Sequence, residues 1–416
     1  MNKNIRIFLK QGEDREMAQG FPWVYANEIE TVKFPSADEG KIESVPFASC
    51  TVQDGSIVEI FACNGKFLGS GVLNKKSLIA VRKISSLHAN QIEDDPKFWR
   101  KKVFDSVNIR NLLFKKNESC RIVFAEADFL PGLVAERYAA SDGIYLVVQF
   151  LALACEKFRT EILGALKDAT ECDFIYERSD ADLRDREGLE RKSGWIGKKG
   201  SEIIQIEENG VKILVDIANG QKTGYFLDQK LNRNRLKDFC RGKKVLDAFS
   251  HTGAFALNAA YGGAKEVVCV DVAEPAVDLI RKNIELNGMQ EKISAVCMDA
   301  FDYLRECGEK NEKFDVIVLD PPAFTKNAKS IEKAYGGYKD INLRAMKILN
   351  EGGILFTCSC SYYFDENTFY SMLTHAAKDS HRRVQVLEKR GAAGDHPILL
   401  GYPKSEYLKC AVCRVL

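Results

Sequence analysis

From about residue 203 to the end, short apolar runs alternate with helical patterns. This alternation constrains the chain more than any other feature. Strands fit 211–217, 244–249, 266–271, 293–299, 314–319 and 353–358, and helices fit near 227–240, 254–262, 274–287, 330–349 and 365–379. Such a pattern predicts an α/β fold with a mostly parallel, doubly wound, Rossmann-like sheet. Two further β-rich runs, 384–387 and 407–415, are joined by a loop with Gly394, Pro397 and Pro403. With no helix between them, they predict an antiparallel hairpin at the sheet edge.

Upstream the pattern differs. Residues 1–83 read as all-β, with Asp54-Gly55 and Asn64-Gly65 as hairpin signals between β-rich runs. A helix fits 95–116, strands fit 121–127, 133–138 and 143–150, a helix fits 155–168 and a strand fits 173–178. These make a central α+β domain over 84–200. Residues 179–202, charged and glycine-bearing, read as a linker or loop, and the third domain is 201–416.

Composition excludes several classes. Apolar residues make up 45% of the chain, enough for sizeable cores. The net charge is only +1, so any nucleic-acid affinity must come from local patches. The 13 cysteines lie mostly inside apolar runs, which fits buried free thiols in a reducing cytoplasm better than a disulfide framework. The start, Met1-Asn-Lys-Asn-Ile-Arg, leads into polar sequence, and the most apolar segment, 143–155, is too short to span a bilayer. The expectation is therefore a cytoplasmic protein with no membrane association.

Three segments carry chemistry. Val245-Leu-Asp-Ala-Phe-Ser-His-Thr-Gly-Ala-Phe255 ends a strand at Asp247, and Thr252-Gly253 opens the next helix, whose amides favour a carboxylate. Without a G-x-G-x-x-G pattern, a pyrophosphate is not indicated. The methionine end of S-adenosylmethionine suits a single glycine, with Phe249 in the same turn. The next strand ends at Asp271, suited to ribose hydroxyls. The following one ends at Asp299, suited to an adenine amino group, with Ala300 and Phe301 as apolar neighbours. The same acids could merely cap helices, but they stand at three strand ends in succession. Asp320-Pro321-Pro322 forms a stiff turn that projects an acid towards a planar ring.

Gly353-Ile-Leu-Phe-Thr-Cys-Ser-Cys-Ser361 brings Cys358 and Cys360 to the same edge. Carbon 5 of a pyrimidine attacks a sulfonium methyl only after a thiolate adds to C6, so a thiol beside such a cofactor points to covalent catalysis. A metal reading fails for want of a partner pair at ligand spacing, and no metal is expected. The polar segment Gly220-Gln-Lys-Thr-Gly-Tyr-Phe-Leu-Asp-Gln229, with Asn232 and Arg233, suggests contact with cofactor or substrate. Asp228 and Arg233 are its candidates. His251 and His396 are weaker substrate candidates.

With these residues the chain resembles the bacterial 23S ribosomal RNA cytosine-5 methyltransferases that carry an N-terminal PUA domain. Phe21-Pro-Trp-Val-Tyr-Ala-Asn-Glu-Ile29 is similar to the family's PUA opening, and Asp128-Phe-Leu-Pro-Gly-Leu133 to its middle-domain signature. The segments from Gly220, from Asp247, Asp320-Pro-Pro-Ala-Phe324, Ser359-Cys-Ser361 and Asp395-His-Pro397 follow in order and spacing. The resemblance implies a β-barrel-like PUA domain that binds RNA, a central α+β domain and a class I methyltransferase domain. It implies S-adenosylmethionine as cofactor, ribosomal RNA as partner and Cys360 as nucleophile. Asp320 would contact the cytosine N3/N4 edge. A homodimer is one arrangement open to the chain. Many RNA cytosine-5 enzymes carry a second cysteine after the D-P-P motif. Ala323 stands there, so product release must use something else. Two alternatives remain: a purine methyltransferase of the m7G or N2-guanine type, without covalent catalysis, and a non-catalytic RNA-binding or ribosome-assembly protein. Cys360 separates the first from the cytosine reading, and cofactor binding separates the second.

Overall fold

The computed structural model describes residues 4–36, 41–325 and 330–416. The chain forms two compact units. The first comprises residues up to Glu202 together with Ile217–Gly224 and Asp395–Ser405. The second comprises Ile203–Asp216, Tyr225–Gly394 and Glu406–Leu416.

The first unit opens with a seven-stranded sheet in the order Trp23–Tyr25, Ile79–Ser85, Phe67–Leu73, Ile57–Phe61, Ile5–Leu9, Ile29–Pro35, Ile42–Val45. Its pairs are antiparallel except Ile5–Leu9 with Ile57–Phe61. Asn64-Gly65, with Gly65 at φ 84°, makes the expected hairpin between Ile57–Phe61 and Phe67–Leu73, but Asp54-Gly55 does not: Gly55, at φ 88°, turns the chain between Ile42–Val45 and Ile57–Phe61, which do not pair. Downstream, Leu133–Ala140 and Gly143–Phe150 form a hairpin, and Phe174–Ser179 runs parallel to the latter. Helices Phe98–Leu113 and Arg159–Thr170 cover these strands with Trp99, Val103, Val107, Ile162 and Leu166. Their core also takes in Ile57, Val72 and Ile84 of the first sheet.

The linker expected over 179–202 is instead folded. It holds a short helix, Leu183–Arg186, and a strand, Lys192–Trp195, antiparallel to Phe174–Ser179. Its charges misled because they are neutralised in pairs. Arg184 is fully buried against Glu156 at 3.0 Å, and Glu187 accepts from Arg82 at 2.8 Å. The helix expected over 155–168 begins at Arg159, after a separate short helix at Leu153–Glu156.

The second unit is the α/β part. Its sheet runs Ile293–Cys297, Glu266–Asp271, Lys244–Ala248, Phe314–Leu319, Leu349–Ser359, Lys409–Val415, Val384–Arg390. The first five strands are parallel. Lys409–Val415 is antiparallel to both neighbours and lies inside Val384–Arg390, which forms the edge. The strand over 211–217 is not a parallel strand of this sheet. Val211–Asp216 pairs antiparallel with Ile203–Glu208 as a hairpin. Buried Leu246, Val270, Ile317, Leu319 and Leu355 form the sheet core with Tyr338, Ile341, Phe369 and Met372 of the covering helices. The strand order reverses between Lys244–Ala248 and Phe314–Leu319. Their carboxyl ends therefore flank the crevice where doubly wound sheets bind ligands.

Candidate active site

Register brings the predicted acids together. Ala248 lies opposite Leu319, and Leu319 opposite Thr357, so Phe249 and Asp320, just past two strand ends, and Cys358, within the third strand, lie side by side on adjacent strands. Asp247 is buried at 1% exposure. Its Oδ2 accepts from the Ala256 amide at 3.0 Å, while Oδ1 is buried without a hydrogen-bond partner. Burial pushes its carboxyl up to about 8, opposed by the Ala256 amide and reinforced by Asp320 and Asp271.

The turn after Asp247 is tightly wound. Phe249, His251 and Gly253 have φ of 65°, 52° and 75°. Two non-glycine residues in this region cost on the order of 1–3 kcal/mol each. Ser250 offsets this: its amide donates to the Val270 carbonyl at 3.0 Å, and its Oγ accepts from the Val270 amide at 2.9 Å and donates to the Asp247 carbonyl at 2.5 Å. A Cβ on Gly253 would meet Ile280 at 3.1 Å. Thr252 is buried, and its carbonyl accepts from Asn283 at 3.0 Å.

Asp271 accepts from the His251 and Ala273 amides at 2.9 and 3.0 Å. It is therefore held rigidly, with oxygen lone pairs left over. Asp299 caps the helix Ala300–Glu309, taking the Phe301 and Asp302 amides on Oδ1. Ala300 is buried in the first turn. Phe249, Phe301 and Phe324 approach with centroids 5.8–6.4 Å apart, an apolar wall beside these acids.

Asp320 Oδ1 accepts from Gln229 Nε2 at 2.9 Å, and Gln229 Oε1 accepts from Asn232 at 2.7 Å. Cys360 is half-buried, with Sγ 3.9 Å from the Pro321 carbonyl. Cys358 is buried opposite Cys410. Their hydrogen bond first, and burial second, hold the Cys358 thiol well above the ordinary range. Two cysteines two residues apart thus differ in kind: one is inert and one reaches the turn that carries Asp320.

Asp228 and Arg233 are committed to other partners. Asp228 Oδ2 accepts from the Tyr407 hydroxyl. Arg233 donates to Glu208 at 2.6 and 3.0 Å and to the Phe226 carbonyl at 2.9 Å, and its guanidinium lies over Tyr225. Burial works against this charge, but Glu208 and Tyr225 raise it further. Both residues are buried. His251 packs edge-on to Phe226. His396 lies in the first unit, bonded to Asp395 at 2.8 Å.

Two residues beside these groups stand outside the sequence expectations. Gln229 stands in the polar segment but was not singled out. Lys409 donates to the Ser361 carbonyl at 2.6 Å, one residue past Cys360. Its signal was a lysine inside the apolar run Tyr407-Leu-Lys-Cys-Ala-Val-Cys413.

Residues 178–389 match the family model described as S-adenosylmethionine-dependent methyltransferase, and residues 7–86 match a PUA-like domain. The chain belongs to the S-adenosylmethionine-dependent methyltransferases. It is 38% identical over 416 residues to ribosomal RNA large subunit methyltransferase I of Aliivibrio fischeri, covering 99% of this chain and 100% of that relative. The Aeromonas salmonicida protein of the same name is 39% identical over 416 residues, covering 99% of each. A structure described as a SAM-dependent methyltransferase from Streptococcus mutans matches at a TM-score of 0.79 and 21% identity, covering 98% of this chain and 99% of that one. A methyltransferase solved with S-adenosylhomocysteine matches with the same values. The fold is therefore a class I methyltransferase fold with an N-terminal PUA-like domain, and S-adenosylmethionine is the cofactor.

The residues present fit that cofactor. Asp247, buried with a partnerless Oδ1, stands beside the half-buried Asp271 and Asp320, an acidic cluster that a sulfonium and an ammonium would complement. Among the described residues, no three His, Cys, Asp or Glu side chains cluster as metal ligands, and no helix is long and apolar enough to cross a membrane.

Proposed function

We propose that this enzyme methylates carbon 5 of a cytosine in large-subunit ribosomal RNA through a covalent bond from Cys360. The carrying observation is Cys360 Sγ at 3.9 Å from the Pro321 carbonyl, on the turn that bears Asp320. The relatives' printed name supports the ribosomal RNA substrate. In this reading, residues 1–83 bind RNA as a PUA domain, 84–200 form a central domain and 201–416 hold the cofactor. The enzyme acts in the cytoplasm.

When bound, the cofactor supplies an electrophilic methyl group on sulfur. Asp247, Thr252 and Gly253 would hold its methionine end, Asp271 its ribose, and Asp299 with Phe249 and Ala300 its adenine. The Cys360 thiolate would add to C6 of the cytosine, forming the Sγ–C6 bond and moving the C5–C6 electron pair onto C5, which would bond the methyl group as the sulfur–methyl bond breaks and its electron pair stays on sulfur. Loss of the C5 proton to a base then returns an electron pair to the ring, and the Sγ–C6 bond breaks to release the thiolate. Asp320, fixed by Gln229, steadies the N3/N4 edge as charge develops there. Asp228 and Arg233 serve by positioning the segment that carries Gln229.

The test is a ribosomal RNA fragment carrying 5-fluorocytosine, whose fluorine cannot leave as a proton. Wild-type protein and Cys358→Ala should form a denaturation-resistant adduct. Cys360→Ala should form none and should lose methylation while still binding the cofactor. Full activity in Cys360→Ala would favour a purine target.

A further inference from the structure

Lys409 is 9% exposed and stands opposite Ser359 in the antiparallel pair beside the thiol-bearing strand. Its ammonium has three donors. Two go to the carbonyls of Ser361, at 2.6 Å, and Tyr407, at 2.8 Å. Among the described residues no carboxylate forms an ion pair with it. A buried ammonium hydrogen-bonded to carbonyls and not paired directly with a carboxylate is costly, and such charges are retained where a counter-charge is present or forms. The Ser361 carbonyl is also where the chain turns after Cys360. Ser361 Oγ shares a 2.9 Å hydrogen bond with the Tyr338 hydroxyl, and the Ser361 amide donates to Ser359 Oγ at 3.4 Å.

We propose that Lys409 is a positioning residue for Cys360: it pins the turn through the Ser361 carbonyl and supplies the positive charge that favours the Cys360 thiolate. The S–H bond breaks heterolytically, the electron pair stays on sulfur and the proton passes to solvent. Burial lowers the Lys409 ammonium to about 8, and Cys360 is foremost among the groups opposing that fall, ahead of Asp365 and Glu406. Asp365 caps the helix Glu366–Asp379, and Glu406 is exposed just before the last strand. Tyr338 faces Cys360 from the helix Ile331–Ile348 and stays protonated, its hydroxyl raised chiefly by burial. Neither Cys358 nor Cys410 brings a cation. Among these described neighbours Lys409 is thus the cation, set against the Asp320 carboxylate on the turn that Cys360 meets.

The inference rests on Cys360 being the nucleophile, but it can be tested without RNA. The readout is the pH profile of Cys360 alkylation by iodoacetamide in the full chain, followed by peptide mass spectrometry so that the other thiols are read separately. Lys409→Met should raise the apparent Cys360 pKa by about one unit and slow alkylation at pH 7 about tenfold. Lys409→Arg should restore most of that rate, and Glu406→Gln should move the profile slightly the other way. A second measurement does not depend on the Met variant folding. By reciprocity of coupling, the Lys409 ammonium followed by NMR should titrate higher in Cys360→Asp than in Cys360→Ala. An unchanged alkylation profile in folded Lys409→Met, or equal Lys409 titration in the two Cys360 variants, overturns the proposal. If Cys360→Ala keeps methylating while the profile still shifts, the covalent mechanism fails and the coupling stands. If the fluorinated adduct forms and the profile does not move, the reverse holds.

Discussion

Gln229 Nε2 donates to Asp320 Oδ1 at 2.9 Å, which ties the segment before the cofactor strand to the D-P-P turn. Gln229 is itself buried and fixed by Asn232, so Asp320 cannot swing without breaking a chain of two bonds. Gln229→Leu should remove one hydrogen bond to a charged group, worth about 1.5–3 kcal/mol. The expected result is a methylation rate reduced about 10- to 100-fold with cofactor affinity nearly unchanged. Single-turnover kinetics beside calorimetry checks both halves.

Asp247 should link cofactor binding to proton release. Its folded-state carboxyl lies at about 8 against an ordinary 3.8. Between those values the folded protein holds a proton that the unfolded chain has lost, so this group's contribution to stability falls as pH rises from about 4 to about 8. A cation bound beside it favours the carboxylate. Affinity for S-adenosylmethionine should therefore strengthen between pH 6 and 7.5, by at most about tenfold per unit, and Asp247→Asn should flatten that slope. Calorimetry in two buffers of different ionisation enthalpy reads the released proton directly.

Arg233→Ala should act on stability. It strands Glu208, which is 2% exposed, and breaking a buried pair from one side costs about 3–5 kcal/mol. Denaturant melts should show that loss, while the folded fraction binds cofactor with wild-type affinity. A large affinity loss in still-folded protein would restore Arg233 to direct cofactor contact.

Removing residues 1–83 should weaken RNA binding and its salt dependence, since phosphate contacts are electrostatic. It should also destabilise what remains. Arg82, 6% exposed, holds both Glu126 and Glu187 at 2.8 Å, and Trp23 donates to Glu126. Both carboxylates would lose their cation. Adding Glu126→Gln and Glu187→Gln to the truncation should recover part of the lost melting temperature.

The strand ends carrying Asp247, Asp271, Asp299 and Asp320 were legible because each closes an apolar run before a turn, a pattern set within a few residues. Cys360 was legible for the same reason. Other features depend on partners far along the chain. Arg184 and Glu187 read as solvated because sequence does not display the distant groups that neutralise them. Arg233 read as a cofactor ligand because Glu208 lies in a hairpin strand that its own polar sequence concealed. Lys409 was hidden inside a strand prediction that was otherwise sound, as one of two cations, with Arg414, in an apolar run.

The inclusion of Asp395–Ser405 in the first unit has a consequence for synthesis. Arg110 is fully buried and donates to the Asp395 carbonyl at 2.9 Å, and the Arg121 amide donates to the Asp395 carboxylate at 2.8 Å. Arg110 and Asp395 are 285 residues apart. At elongation speeds of about 5–20 residues per second, Arg110 waits about 15–60 s for that acceptor to be made. The unit begun first on the ribosome is thus closed late, after most of the methyltransferase sheet has emerged. A ribosome stalled in the last sixth of the message would leave both units incomplete.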